Sequence, residues 1–348
     1  MKGSIVSSPQ KQRNYQMSKY HVQAGGKLYL TGEYAILRPG QTALICYIPI
    51  MLTAVIEAAE AVSISSDMFD HAADLSPDKD YRLIQASIEA FSLYIDKDIK
   101  ELPAFSLSIT GKLERDGKKF GIGSSGSVVV LTLRALAAFY QVQLLPEQLF
   151  KLAAYTLLKS GDNGSMGDIA CIAYESLVAY TSFDRRKVGQ WLIEMTLKEL
   201  MAAHWGYTIE TIEPALPCWF LVGWTQVPSI SREMIQLVNK SISCQFLEQS
   251  QLVTQEVMTA LQLGQRKRLK ASIEKAGQLL QGLASVIYHP KLTQLVQACQ
   301  GLDAAAKSSG SGGGDCGIAL VFEAKDIEPI LARWQQAGIV LLYQEEWG

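Results

Sequence analysis

The chain has 348 residues, 48% of them apolar and 19% charged, with a net charge of −2. Such a composition gives ample core material, and the length fits two domains better than one. It excludes a bulk basic field for nucleic acid, and no apolar run reaches the ~18 residues of a membrane-spanning helix. The six cysteines (Cys46, Cys171, Cys218, Cys244, Cys299, Cys316) form no C-x-x-C pair. No zinc or redox motif is therefore readable, and reduced thiols in a cytoplasmic protein are expected.

Residues 1–18 are polar and lack the apolar centre of a secretory signal. They are expected to form a flexible extension, with Met17 as an alternative start. From Tyr20 to Ser66 the pattern is strand-like, with β-rich runs at Tyr20–Ala24, Lys27–Thr31, Thr42–Ile48 and Met51–Glu57, and a turn at Arg38-Pro39-Gly40. Leu83, Ile84, Ile88, Phe91 and Ile95 have helical spacing. Phe105–Ile109 reads as a strand. A lysine turn (Lys118, Lys119) leads into Gly121-Ile122-Gly123-Ser124-Ser125-Gly126-Ser127 and then a helix to about Tyr140. Pro146 is placed to start the next helix, to about Lys159. A second small polar loop, Gly161–Gly167, precedes a helix at Asp168–Glu175 and a strand at Leu177–Tyr180.

Beyond Phe183, Gln190–Trp205 reads as one helix bridging two units. Cys218–Trp224 is a strand, and three long helices follow at Ile230–Ser243, Phe246–Leu263 and Lys267–Ile287. His289-Pro290 breaks the run before a further helix to about Leu302. The glycine-rich stretch Lys307–Gly317 runs into a strand at Ile318–Phe322, and a helix (Ile327–Gln336) and strand (Ile339–Tyr343) close the chain. A strand-rich first half and a helix-rich second half with returning strands predict an α+β chain of two domains, 19–190 and 191–348.

The Gly121–Ser127 loop is the chemical focus. Glycines let the backbone approach a ligand, and a helix following directly presents free N–H groups and a positive dipole end. The expected tenant is a phosphate. Gly121, Gly123 and Gly126 also satisfy G-x-G-x-x-G, but a charged turn, Arg115–Lys119, precedes them where a dinucleotide fold needs a strand. A Walker loop needs Lys-Ser/Thr after the last glycine, and no protein-kinase motif is present. Each loop taken alone could be a plain tight turn. Lys27 and Lys119 could each be a surface lysine, and Asp168 a helix N-terminal residue favoured by the dipole.

Gly26–Ala35, Gly121–Ser127 and Lys307–Gly317 resemble, in order, the three motifs of the GHMP kinases. Within that family the wording of Gly161–Asp168 and Lys307–Cys316 is similar to the bacterial phosphomevalonate kinases. The resemblance implies an N-terminal domain like ribosomal protein S5 domain 2, a ferredoxin-like C-terminal domain and a site in the cleft between them. It implies ATP-dependent phosphorylation of 5-phosphomevalonate to 5-diphosphomevalonate, with Mg2+, in isoprenoid precursor synthesis by the mevalonate pathway. The alternatives are mevalonate kinase or another small-molecule kinase of the family, diphosphomevalonate decarboxylase, and a non-catalytic nucleotide or metabolite sensor on the same fold.

The resemblance makes Lys27, Asp168 and Lys119 the catalytic candidates. It assigns ATP phosphate contacts to Gly121, Gly123, Ser124, Ser125, Gly126, Ser127, Gly312 and Gly313. Ser125 and Asp168 become the metal ligands, and Lys27, Lys119, Ser165, Asp168 and Ser231 the acceptor contacts. Two departures stand out. Lys118 and Lys119 occupy the region where the family often has a proline, and Leu157 replaces a metal-binding glutamate of mevalonate kinases. A phosphate acceptor is already ionised at neutral pH, so Asp168 need not act as a base. Cys316 has no accompanying histidine motif and is expected to be a buried small residue.

Overall fold

The computed structural model describes residues 19–229 and 231–348. The expected extension, residues 1–18, lies outside them. The first half is built on a six-stranded sheet. Strand β1 (Lys19–Thr31) pairs antiparallel with the long β2 (Thr42–Ala58). The other edge of β2 is shared: its N-terminal half pairs with β7 (Val178–Thr181) and its C-terminal half with β4 (Phe105–Thr110). The sheet ends in β3 (Ser63–Ser66), parallel to β4, and β8 (Thr208–Thr211), antiparallel to β7. The four short runs expected before Ser66 are thus two long strands. The register slips between Ala24 and Gly26, which is why the sequence reads as interrupted there.

Of the helices α1 (Arg82–Tyr94), α2 (Ser124–Phe139), α3 (Pro146–Lys159) and α4 (Gly167–Tyr174), α2 and α4 pack on this sheet, and α1 and α3 pack on α2. Helix α2 is apolar almost all round: Val129, Val130, Leu131, Leu133, Leu136 and Phe139 are all buried, as a core helix must be. Between β4 and α2 lies a short hairpin, β5 (Glu114–Arg115) and β6 (Lys118–Lys119).

The predicted helix over Gln190–Trp205 is instead two helices, α5 (Arg185–Glu194) and α6 (Leu197–Ala202). The break is local chemistry. The Thr196 hydroxyl accepts the Glu199 N–H at 3.3 Å, and the Glu199 carboxylate accepts the Thr196 N–H at 2.9 Å, a reciprocal cap that starts a new helix.

The second half holds α7 (Ser231–Val238), α8 (Cys244–Gln262), α9 (Arg266–Leu283) and α10 (Pro290–Gln297). Its sheet comprises β9 (Cys218–Trp224), β10 (Ala304–Ser308), β11 (Cys316–Val321) and β12 (Val340–Trp347), with α11 (Ile327–Gln336) before the last strand. The strand order is β10-β11-β9-β12 and every pair is antiparallel. Helices between its first and second strands and between its third and fourth make this the ferredoxin-like arrangement.

Both faces of the second sheet are covered. Phe220, Val222, Trp224, Ile318 and Leu320 join the core of the first half, while Leu221, Ala319 and Val321 pack with Leu295, Ile330 and Trp334. This double burial is why β9 and β11 read as unbroken apolar runs rather than alternating ones.

Candidate active site

A cavity of about 450 Å³ opens between the two halves. Its floor is the glycine-serine loop. Gly123 caps α2 in a left-handed conformation, φ 88°, which glycine adopts without strain. The first helical hydrogen bond runs from the Ser127 N–H to the Gly123 carbonyl, 3.1 Å. The N–H groups of Ser124, Ser125 and Gly126 therefore have no acceptor within the helix. Gly121, Gly123, Ser124 and Ser125 line the cavity, so the free donors of Ser124 and Ser125 and the positive helix end face this cleft. That is an anion site.

Lys27 projects from β1 beside this loop. Its backbone N–H donates to the Ile122 carbonyl at 2.8 Å, and a Cβ on Gly123 would lie 3.0 Å from Lys27 Cε. The side chain is largely buried, with Nζ 5.1 Å from the centre of the Tyr29 ring, and it makes no hydrogen bond or ion pair with the described residues. A cation so placed is available to an anion in the cavity. Asp168 lies in the first turn of α4, and its Oδ2 comes so close to α2 that a Cβ on Gly126 would sit 2.8 Å away. Only glycine lets the two helix starts approach in this way. Burial raises the Asp168 carboxyl above its usual range, Lys27 pulls the other way, and Asp162 adds to the rise.

The remaining candidates divide. Lys119 and Ser231 line the cavity. So does Ser165, but its hydroxyl already meets Tyr29 Oη at 3.0 Å and accepts the Gly167 N–H at 3.2 Å. Four of the expected phosphate contacts, Gly126, Ser127, Gly312 and Gly313, are not among the residues that line the cavity. Ser127 is fully buried and donates its hydroxyl to the carbonyls of Gly25 (2.7 Å) and Gly123 (3.0 Å). Gly313 donates its N–H to the Ile287 carbonyl at 2.8 Å, and Gly312 backs onto the same residue. In their place Gly310 and Ser311 face the cavity. A glycine-rich turn has two sides, and sequence does not say which one faces the ligand.

Several site residues escaped the sequence reading. Asp315, in the glycine-rich turn with φ 50°, lines the cavity and fills the space a Cβ on Gly121 would need. Its Oδ1 accepts the Ser229 N–H at 3.1 Å, and burial pushes its pKa up to about 6 against the opposing pull of that N–H, Lys27 and Lys119. Glu33 and Lys307 form an ion pair between the halves, 4% and 0% exposed. The same seam carries Tyr34 Oη donating to the Ser311 carbonyl (2.5 Å) and Ser309 Oγ bridging the Tyr29 N–H and carbonyl (2.9 Å each). Cys316 donates its thiol to the Phe120 carbonyl at 3.1 Å, and burial raises that thiol far above its ordinary range, so it is no nucleophile.

Of the acids lining the cavity, Glu33 is paired with Lys307 and Asp315 already accepts the Ser229 N–H, which leaves the carboxylates of Asp168 and Asp162 and the Ser125 hydroxyl as donors that a magnesium ion could use; the apolar Leu157 also lines the cavity. Among the described residues, the cluster with three grouped ligand atoms is His71, Asp78 and Asp80, in a loop outside the cavity. Magnesium is commonly held by one or two carboxylates together with substrate phosphates and water. The cavity suits an ion that arrives on a nucleotide, not an all-protein cage.

The chain matches the models of the GHMP kinases N terminal domain over residues 81–176 and of the GHMP kinases C terminal region over residues 257–340. It is 31% identical to a phosphomevalonate kinase of Streptomyces sp. (strain CL190), over 92% of this chain and 95% of that protein. Among solved structures it resembles Streptococcus pneumoniae phosphomevalonate kinase in complex with phosphomevalonate and AMPPNP, at 49% identity. That match has a TM-score of 0.92 and covers 94% of this chain and 99% of the other. The mevalonate kinase of Methanococcus jannaschii shares the fold at 19% identity and TM-score 0.73, over 96% of this chain and all of that one. A two-lobed α+β chain with a phosphate loop between its halves, and a relative matched over nearly its whole length, belongs to the GHMP kinase family.

Proposed function

We propose that this protein transfers the γ-phosphoryl group of ATP to (R)-5-phosphomevalonate, giving (R)-5-diphosphomevalonate and ADP, a step of the mevalonate route to isopentenyl diphosphate. One observation carries the reading: the loop N–H groups at Ser124–Ser125 and the Lys27 ammonium, none paired with the described residues, converge with Asp168 on one cleft between the two halves. The pneumococcal relative, at 49% identity, was solved with phosphomevalonate and AMPPNP, a pair of anions of the kind such a cavity accommodates.

Phosphoryl transfer depends on positioning and on neutralising charge. A helix end contributes roughly 0.3–2 kcal/mol, whereas enzymes lower barriers by ~8 kcal/mol or more. Fixed cations must therefore supply much of the rest. Lys27 neutralises the group in flight, and Lys119 holds the phosphate of the acceptor. Asp168 orients the acceptor. Ser125 and Asp168 would hold Mg2+, which when bound would neutralise phosphate charge. Ser165, already fixed by Tyr29, and Ser231 complete the acceptor wall. The acceptor oxygen is ionised at neutral pH, so no proton needs removing. Six free cysteines fit a reducing compartment, and we place the enzyme in the cytoplasm.

A panel of acceptors with ADP release as readout tests the substrate. The 5-phosphate should be turned over strongly and mevalonate weakly. Strong turnover of mevalonate with none of its 5-phosphate would make the protein a mevalonate kinase. Nucleotide binding without turnover of any acceptor would make it a sensor.

A further inference from the structure

The cavity is lined by four basic side chains: Lys27, Lys119, Arg82 and Arg232. Two are at the transfer centre. Lys27 stands against Gly123, and Lys119 lies two residues before the phosphate loop; both act on the Asp315 carboxylate. The two arginines lie on different walls. Arg82 starts α1, beside the cavity-lining Leu83, in a helix packed on α2 and α3. Arg232 lies in the first turn of α7, flanked in the lining by Ser231 and Ile235. Neither guanidinium makes a hydrogen bond or ion pair with the described residues.

The proposed acceptor has an anion at each end. Its phosphate must reach the transfer centre, and a carbon chain then carries the carboxylate away along one wall. That wall can be followed residue by residue. Tyr29 and Asp168 interact electrostatically, and Tyr29 Oη meets Ser165. Arg185 joins the next stretch to the Leu37 turn, donating to the carbonyls of Asn163 (2.9 Å), Gly164 and Leu37 (2.8 Å). Tyr34, Ala35 and Leu37 pack on Met234 and Val238 of α7, with Ile235 against them. The wall thus runs from Asp168 through Ser165 and Leu37 to Ile235 and Arg232. Arg185 is engaged by three backbone carbonyls, so Arg232 is the cation on this wall left for a ligand.

We propose that Arg232 binds the carboxylate of the acceptor and so sets specificity for a doubly anionic substrate. A planar fork of donors matches a carboxylate in two parallel hydrogen bonds, and the start of α7 adds a favourable dipole. The proposal rests on the function argued above, and its test separates the two.

Steady-state kinetics of wild type, Arg232→Ala and Arg232→Lys would be compared with 5-phosphomevalonate and with its carboxamide analogue. Arg232→Ala should raise the acceptor KM at least ~10-fold, as loss of a charge-assisted pair does, while the ATP KM stays within about twofold. Arg232→Lys, keeping the charge without the fork, should fall between. Amidation should weaken the acceptor for wild type but add little in Arg232→Ala, because the interaction is already gone. An unchanged acceptor KM in Arg232→Ala, an equal loss for both acceptors, or a rise confined to the ATP KM would each overturn the assignment. A wild-type enzyme inactive on 5-phosphomevalonate would instead remove the reading beneath it.

Discussion

Replacing Lys307 with methionine would leave the Glu33 carboxylate buried and without its counter-ion. The lysine side chain is fully buried and that of Glu33 is 4% exposed, so water cannot take over the lost role. Burial lowers the Lys307 pKa while Glu33 raises it, which marks the pair as mutually dependent. Removing one partner of a buried pair typically costs ~3–5 kcal/mol. At roughly 2.1 cal/mol/K of unfolding entropy per residue, a chain of 348 residues should lose ~4–7 °C of melting temperature. Glu33→Gln should cost less, because a glutamine oxygen still accepts from the ammonium. The double variant Glu33→Gln/Lys307→Met should be less destabilised than the two single losses added, since no charge is left buried. Thermal unfolding followed by circular dichroism measures all three. A loss under 1 °C for Lys307→Met, or strict additivity in the double variant, would refute the claim that this pair fastens β1 and its turn to the second sheet.

The catalytic assignments give further expectations. Lys27→Ala and Asp168→Ala should each lower kcat at least ~10²-fold with nucleotide binding largely kept, as judged by equilibrium titration. Full activity in either variant removes that residue from the mechanism. Lys119→Ala should raise the acceptor KM, and by more at low ionic strength, where charges are less screened; a KM ratio that does not vary with salt counts against it. Asp315 has a folded-state pKa near 6, above the ~3.9 of an unfolded aspartate, so the native state binds the extra proton and stability falls as pH rises between those values. Asp315→Asn should therefore be more stable than wild type at pH 8, by on the order of 3 kcal/mol. That gain should shrink to nothing on acidification through this window, and melting curves with a gain independent of pH would sink the argument.

Much of this architecture is legible in the sequence because the pattern and the physics coincide. The apolar run after Ser127 could only be a core helix, and Pro146 marks the start of α3 at the residue observed. The phosphate loop declares itself because glycine and serine before such a helix leave donors free. Other features depend on partners distant in the chain. Nothing local pairs Glu33 with Lys307, sets Asp315 over Gly121, or turns Gly312 and Gly313 away from the cavity while Gly310 and Ser311 face it. Ser127 reads like its neighbours, yet the helix geometry carries its hydroxyl into the interior toward Gly25. The break within Gln190–Trp205 does have a local signal, since Thr196 and Glu199 have the spacing of a capping box.

The central claim is that the accepting atom belongs to a phosphate. Phosphorus NMR of the product formed from 5-phosphomevalonate and ATP tests it directly. A new phosphorus–oxygen–phosphorus link should give two mutually coupled doublets from the product, distinct from those of ADP. Two uncoupled phosphorus signals would place the transferred group on the acceptor's hydroxyl, and the account of a phosphate acceptor needing no base would be wrong.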